Sequence, residues 1–367
     1  MKIAILGTRG IPNNYGGAEQ NAELLSKYFC NMGHEVVVYS PDDHPYDKPN
    51  YGAVSIRRIF CHEHLFKIAG TFLYDMLCML DVRSKNYDII LQLGYVPAAA
   101  FFFLKSSRYI LVTNMDGLEW KRSKWNRVLQ MFAKYCETTA ARRSDGLIAD
   151  NLAIRDHLQQ MYGVYSRYIS YGAEIVKLGE PQLLQQYQLS ERKYYCLIAR
   201  LEPENNIEII LDGYLQSGSE MDFIVIGNTT TPHAIQLQRK YTGQPRIRFL
   251  GGIYNYKNLS HLRGFARLYF HGHSVGGTNP SLIEAMASGA YIAAHNNPFN
   301  QTVLGDNAKY FSDISDVSQI IQNYSDTDRE LITAANYTVI ENEHRWEDLA
   351  RKHLNYFSEL MTAKTAK

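Results

Sequence analysis

The stretch His273-Ser274-Val275-Gly276-Gly277-Thr278-Asn279-Pro280-Ser281-Leu282-Ile283-Glu284-Ala285-Met286-Ala287-Ser288-Gly289 follows an apolar run, 268–271, and reads as strand, glycine loop and helix. Gly276 and Gly277 carry no Cβ, so the backbone there can come close to a ligand. Thr278 or Asn279 suits a helix cap, and Pro280 suits the first helical position. Free N–H groups and the positive end of the helix dipole favour a phosphate at such a terminus. Glu284, about one turn further in, can accept hydrogen bonds from sugar hydroxyls. A diphosphate beside a polyol is the chemistry of a nucleotide sugar.

Working outward, short apolar runs alternate with longer amphipathic segments. Strands are expected at residues 2–6, 35–39, 88–93, 109–113, 146–149 and 167–170, then at 194–198, 223–226, 247–250, 268–271, 291–294 and 309–311. Ala18, Ala22, Leu25 and Phe29 repeat at helical spacing between the first two. Strands separated by helices imply βαβ units and a parallel sheet, twice over: an α/β protein of two doubly wound, Rossmann-like domains. The expected join is Ser170-Tyr171-Gly172-Ala173-Glu174, followed by a glutamine-rich stretch. This gives an N-terminal domain over 1–171, a C-terminal domain over 172–345, and an amphipathic helix within 346–367. Facing domains of this kind share a cleft lined by the carboxyl ends of both sheets, and ligands bind in the loops that follow those strands.

Composition bounds the rest. The chain has 367 residues, 46% hydrophobic and 20% charged, which suits two globular cores. A net charge of +1 offers no general attraction for nucleic acid. The five cysteines, Cys30, Cys61, Cys78, Cys136 and Cys196, are scattered and lack a Cys-x-x-Cys pair, which argues for a reducing compartment and against a zinc knuckle. The N-terminus runs straight into a strand-like pattern, and the most apolar run, 96–104, is too short to span a bilayer. A cytoplasmic location is expected.

Several loops carry chemistry. After the first strand, Gly16 and Gly17 open a helix where a phosphate or sugar can approach, and Glu19 can bind a hydroxyl or complement the dipole. The Gly-x-Gly-x-x-Gly spacing of dinucleotide binders is absent. Asn114-Met115-Asp116-Gly117-Leu118-Glu119-Trp120-Lys121-Arg122-Ser123-Lys124-Trp125 gathers carboxylates, cations and indoles suited to a sugar phosphate. Asp116 lies closest to its strand end, whereas Lys121, Arg122 and Lys124 equally suit anionic headgroups. Arg200 follows a strand and can fork onto a diphosphate, unless Glu202 or Glu204 pairs with it. Asn205 and Asn206 suit caps. The loop through Gly251, Gly252, Ile253 and Tyr254 either meets a base edge or simply turns. His271 and His273 have no metal spacing, and His273 can touch a ligand.

Together, Tyr15-Gly16-Gly17, the block from Asp116 to Trp125, Pro203-Glu204-Asn205-Asn206 and Gly276-Gly277-Thr278-Asn279-Pro280 resemble the retaining GT-B glycosyltransferases of the large family four. Within that family they are similar to the rhamnosyltransferases of bacterial capsule and cell-wall polysaccharide synthesis. The resemblance implies dTDP-L-rhamnose as donor and a sugar on a lipid diphosphate as acceptor. It also implies retention, typically in a β-1,4 linkage, and a peripheral place on the inner face of the plasma membrane. Two positions depart from the wider family: Gly276 and Asn205 stand where a glutamate and a lysine are usual, as in the rhamnosyltransferase subgroup. Ala18 departs from the subgroup, which often has phenylalanine there.

The expected roles follow. Arg200, Asp116 and Glu284 are the catalytic candidates. Gly16, Gly17, Arg200, Ile253, Gly276, Gly277, Thr278, Asn279 and Glu284 are expected to bind the donor, and Glu19, Asp116, Glu119, Trp120 and Lys121 the acceptor. Lys121 or Lys257 can share in neutralising charge. No cofactor and no metal are called for if arginine and amides carry that charge. The alternatives are a UDP-sugar donor on the same fold, a nucleotide-sugar-binding protein without catalysis, and an NAD-dependent oxidoreductase. Membrane contact is expected at 62–72, at 121–134, or at neither.

Overall fold

A computed structural model describes residues 1–14, 16–61, 68–122 and 125–366. It divides into two compact units, one of Met1–Lys121, Trp125–Tyr171 and Trp346–Lys367, the other of Arg122–Lys124 and Gly172–Arg345.

The first unit is built on β1 (Lys2–Leu6), β2 (Glu35–Pro41), β3 (Asn50–Tyr51), β4 (Val54–Ile59), β5 (Ile89–Leu93), β6 (Ile110–Asn114), β7 (Gly146–Ala149) and β8 (Arg167–Tyr168). They form one sheet in the order β3-β4-β2-β1-β5-β6-β7-β8. Every pairing is parallel except β3 with β4. Strands β5 and β6 are buried along their whole length, as a parallel sheet covered on both faces requires. Its helices include α1 (Gly17–Asn31), α2 (Ile68–Val82), α3 (Arg127–Arg143) and α4 (Leu152–Tyr162).

The C-terminal helix, Trp346–Thr365, belongs to this first unit although it follows the second in sequence. Its Trp346, Leu349, Ala350 and Phe357 share a core with Ile3, Ile5 and Phe29. Gly146 makes room for it: a Cβ there would lie 2.5 Å from Leu360 Cδ1 and 2.9 Å from the Tyr356 hydroxyl. That hydroxyl accepts from the Leu147 amide at 3.2 Å.

The second unit orders β9 (Tyr194–Ile198), β10 (Asp222–Ile226), β11 (Ile247–Gly251), β12 (Leu268–His271), β13 (Ile292–His295) and β14 (Lys309–Phe311) as β11-β10-β9-β12-β13-β14. All pairings are parallel. Helices α5 (Ile207–Ser217), α6 (Pro232–Lys240), α7 (Tyr256–Gly264), α8 (Pro280–Ala287), α9 (Pro298–Leu304), α10 (Ile314–Gln322) and α11 (Asp326–Glu343) complete it. Both sheets reverse direction beside their first strand: at β1 and β5 in one unit, at β9 and β12 in the other. Such a reversal opens a crevice at the carboxyl ends of the two strands.

Candidate functional site

At the β9/β12 reversal two loops are stitched together. Ser274 donates from both amide and hydroxyl to the Glu204 carbonyl, at 3.1 and 2.8 Å. Asn206 Nδ2 donates to the Gly272 carbonyl at 2.7 Å. Gly272 must lack a side chain, since a Cβ would stand 2.0 Å from the Asn205 carbonyl oxygen. The asparagines therefore act differently from the expected caps. Asn206 holds the neighbouring loop, and Asn205 Nδ2 donates to the Arg200 carbonyl at 2.6 Å. Asn205 thereby fixes the backbone of Arg200.

The Arg200 side chain is exposed. Among the described residues no carboxylate pairs with it; Glu204 lies 3.7 Å from Arg122 instead. Its charge is felt by His273, whose imidazole is pushed down to about 3 by burial first and then by Arg200 and Arg122. His273 stacks on His271 with centroids 4.4 Å apart. Both ring nitrogens of His271 and Nδ1 of His273 lack hydrogen-bond partners among the described residues. Burial likewise drives His271 well below its ordinary value. A neutral imidazole thus lines the start of the glycine loop.

Gly276 has φ +134°, a conformation that residues with side chains rarely adopt, and nothing stands within 4 Å of where its Cβ would be. A glutamate at 276 would strain this backbone. Asn279 is the cap of α8, accepting from the Ser281 amide at 2.9 Å. The Leu282 and Ile283 amides turn back to the Asn279 carbonyl, and Pro280 has no amide hydrogen. This corrects the expectation of free amides at the helix end. The helix contributes its dipole, while the amides of Gly276 and Gly277 and the buried Thr278 belong to the loop.

Glu284 lies one turn into α8. Its Oε2 is 2.8 Å from Nη2 of Arg263, a wholly buried guanidinium. Arg263 Nη2 also donates to the Ser281 hydroxyl at 3.2 Å, which bonds the Tyr269 hydroxyl at 2.9 Å. Burial is the largest influence on Arg263 and opposes its charge, but Glu284, Tyr269 and Cys196 together more than offset it and raise its pKa. Burial and the Glu284 charge push Tyr256 up to about 12. Sequence reasoning missed Arg263, because its partner is reached only through the packing of α7 on α8. Ile253 sits in the loop after β11, two strands from β9, half-buried against the core. Lys257 stands exposed on α7.

In the first unit the loop after β1 is closed by its own side chains. Glu19, 4% exposed, accepts from the Arg9 amide at 2.9 Å and from the Thr8 hydroxyl at 3.4 Å. Glu23 accepts from the Asn13 amide at 2.7 Å, and Asn13 Oδ1 accepts from the Gly16 amide at 3.1 Å. Glu19 thus shapes the loop in front of Gly16 and Gly17. The charges of Asp116, Asp150 and Glu19 all act on the Tyr171 hydroxyl, whose pKa burial first and those carboxylates next raise. These three carboxylates converge at the carboxyl ends of β1, β6 and β7; Asp150 was not singled out in the sequence.

The Asp116–Trp125 block turns partly inward. Trp120 Nε1 donates to Glu137 at 2.9 Å, and Lys134 Nζ lies 4.5 Å from the indole ring centre. This indole face meets a lysine rather than lying bare for a sugar. Lys134, His157 and Tyr162 all reach Glu137 Oε1, at 2.7, 3.0 and 2.7 Å. Burial alone would raise Glu137, but these bonds hold it down at about 2. The Glu119 amide donates to the Tyr95 hydroxyl at 3.1 Å. Lys121 is exposed, 5.4 Å from the Trp120 ring. Tyr15, Ser123, Lys124 and residues 62–67 of the expected membrane segment lie outside the described residues. Among those described, no group of three or more His, Cys, Asp or Glu is placed to hold a metal ion. No helix among them is long and apolar enough to cross a membrane.

Comparison with known proteins agrees with this architecture. Residues 180–327 match the family model described as "Glycosyl transferases group 1", and residues 1–174 match "Domain of unknown function (DUF1972)". O-antigen chain mannosyltransferase B of Escherichia coli is 26% identical over 185 residues, 48% of this chain and 48% of that protein. The chain thus aligns with about half the length of this curated relative. Sucrose-phosphate synthase of Thermosynechococcus elongatus superimposes with a TM-score of 0.82 at 14% identity, covering 99% of each chain. HepE of Anabaena in complex with UDP-glucose gives 0.73 at 16% identity, covering 98% of this chain and 100% of that one. The class is thereby set: the GT-B fold of two Rossmann-like domains, with a glycosyl transferases group 1 match across the second unit.

Proposed function

We propose that the protein is a glycosyltransferase that moves L-rhamnose from dTDP-L-rhamnose to a sugar on a lipid diphosphate, with retention, in surface polysaccharide synthesis. The observation that carries the transferase reading is the pairing of the Arg200 loop with the glycine loop at the β9/β12 reversal, with Glu284 ion-paired one turn beyond. The second unit holds the donor. Arg200, the Gly276 and Gly277 amides and the dipole of α8 carry the charge that develops on the diphosphate. Glu284, oriented by Arg263, accepts from the ribose hydroxyls. The first unit holds the acceptor near Asp116, with Glu119 and Lys121 in reach of the same block.

The C1–O bond to the diphosphate breaks as the acceptor oxygen bonds C1 on the same face. A phosphate oxygen of the leaving group takes the acceptor's proton, so no protein nucleophile is required. The choice of dTDP-L-rhamnose rests on the motif resemblance, in which glycine at 276 and asparagine at 205 mark the subgroup. A second reading, another hexose donor, is favoured by the mannosyltransferase relative and by the UDP-glucose complex of a GT-B neighbour. The test is a donor screen with a synthetic GlcNAc-diphosphate-lipid, read by mass spectrometry. A deoxyhexose added only from dTDP-L-rhamnose is the expected product; a hexose added from a UDP- or GDP-sugar contradicts the rhamnose reading and keeps the transferase.

A further inference from the structure

We propose that the outer face of α3 is a docking surface for an anionic lipid bilayer. Val128, Met131 and Tyr135 are 74%, 74% and 57% exposed. Their spacing puts them on one stripe of the helix, while Ala133, Cys136 and Ala140 bury the opposite stripe in the unit's core. Three large apolar side chains in line on one helix are a contiguous feature, unlike the scattered exposed apolar residues any surface carries. Phe132 supports the stripe from beside it, 5.2 Å from Phe72 and 6.5 Å from Tyr135, centroid to centroid.

The exposed charges on the helix itself have one sign. Arg127 is exposed in the first turn of α3, and Arg142 and Arg143 are exposed in the last. Arg142 continues the line of Val128, Met131 and Tyr135. The helix has a single acidic residue, Glu137, which is 1% exposed and consumed by Lys134, His157 and Tyr162. An apolar stripe between cationic ends is what a helix lying in a membrane interface presents: the side chains enter the headgroup boundary, and the arginines meet lipid phosphates. A second copy of the chain fits less well. Facing α3 helices, parallel or antiparallel, would bring arginine ends together, and three side chains fall short of the roughly 800 Å² per partner that a stable dimer buries.

The proposal rests on the lipid-borne acceptor of the reading above, but vesicle binding is measured without donor or acceptor, so either can fail alone. The full chain is floated with phosphatidylcholine vesicles, with and without phosphatidylglycerol. It is expected to float with the anionic vesicles only and to be released by salt. Met131→Asp lowers the vesicle affinity by about tenfold or more. Arg142→Gln lowers it about fivefold, and Tyr135→Ser acts in the same direction. Leu331→Asp, at an exposed apolar position of the second unit, leaves it unchanged. Thermal melting checks that each variant is folded. Equal flotation on both vesicle types, no flotation of the wild type, or variants that float like the wild type overturn the proposal. So does a concentration-dependent dimer abolished by Met131→Asp, which would assign the stripe to a second copy.

Discussion

Glu137 in the first unit and Glu284 in the second are both buried carboxylates, but they are buried for different ends. Lys134, His157, Tyr162 and Trp120 converge on Glu137, midway along α3, and they tie the Glu119–Lys121 turn to the helix. Glu284 is held through Oε2 by the buried Arg263, one turn beyond a loop whose backbone at Gly276 only glycine adopts readily. Polar burial alone does not mark a binding site. What distinguishes Glu284 is its place on the helix that follows the glycine loop at the β9/β12 reversal, with Gly276 at φ +134° in that loop.

The largest expected effect breaks the first of these. Glu137→Ala leaves Lys134 without its carboxylate and should destabilise the first unit by about 3–5 kcal/mol, read by urea unfolding. A loss below ~1 kcal/mol would show that the knot is not what anchors the turn. In the second unit, Arg200→Ala should lower kcat/KM by about 10²–10³-fold with no change in melting temperature, since its side chain is exposed. Near-normal turnover would remove Arg200 from the chemistry.

Acid should reveal the buried imidazoles. His353, packed against Phe29 and Phe357, is pushed down by burial from 6.5 to about 4. Between those values the unfolded chain binds more protons than the folded one, so stability rises with pH across the window. Its contribution is complete above about pH 6.5 and lost as pH falls toward 4, in all about 3 kcal/mol. His353→Phe should flatten that slope; an unchanged slope would mean that His353 is not the titrating group. Glu137 adds its own loss only at lower pH, from 4.5 toward about 2. The smallest effect on binding is expected at Glu284→Gln, which also leaves the buried Arg263 without its counter-charge. In the variant that thermal melting shows to be folded, the donor dissociation constant should rise about tenfold, measured by calorimetry. An unaltered constant would reduce Glu284 to a structural partner like Glu137.

The fold was largely legible because parallel strands buried on both faces are near-continuous apolar runs, and every expected strand coincides with one observed, within a residue or two at the ends. The β3–β4 hairpin was missed for the converse reason. β4 lies toward the edge, only its ends Val54 and Ile59 are buried, and its Arg57 and Arg58 spend their charge on Asp81 and the His44 carbonyl. Glycines flagged the loops, since close approach and positive φ are written in residue type. Arg263 and the roles of Asn205, Asn206 and Glu19 were not legible: each depends on which backbone atom lies across the packed loop, which no local pattern records. Trp120 was ambiguous in the sequence, because an indole beside cations suits a sugar as well as a lysine of its own chain, and Lys134 lies over its ring.

The central claim is that the nucleotide sugar is held by the second unit at the β9/β12 reversal. Backbone hydrogen exchange of the full chain, with and without saturating dTDP-L-rhamnose, tests it most directly. Slowed exchange is expected at residues 199–206 and 273–284, exceeding any at residues 7–19, where Gly16 and Gly17 also stand as candidate donor contacts. Protection confined to the loop after β1, with the second unit unaffected, would contradict it.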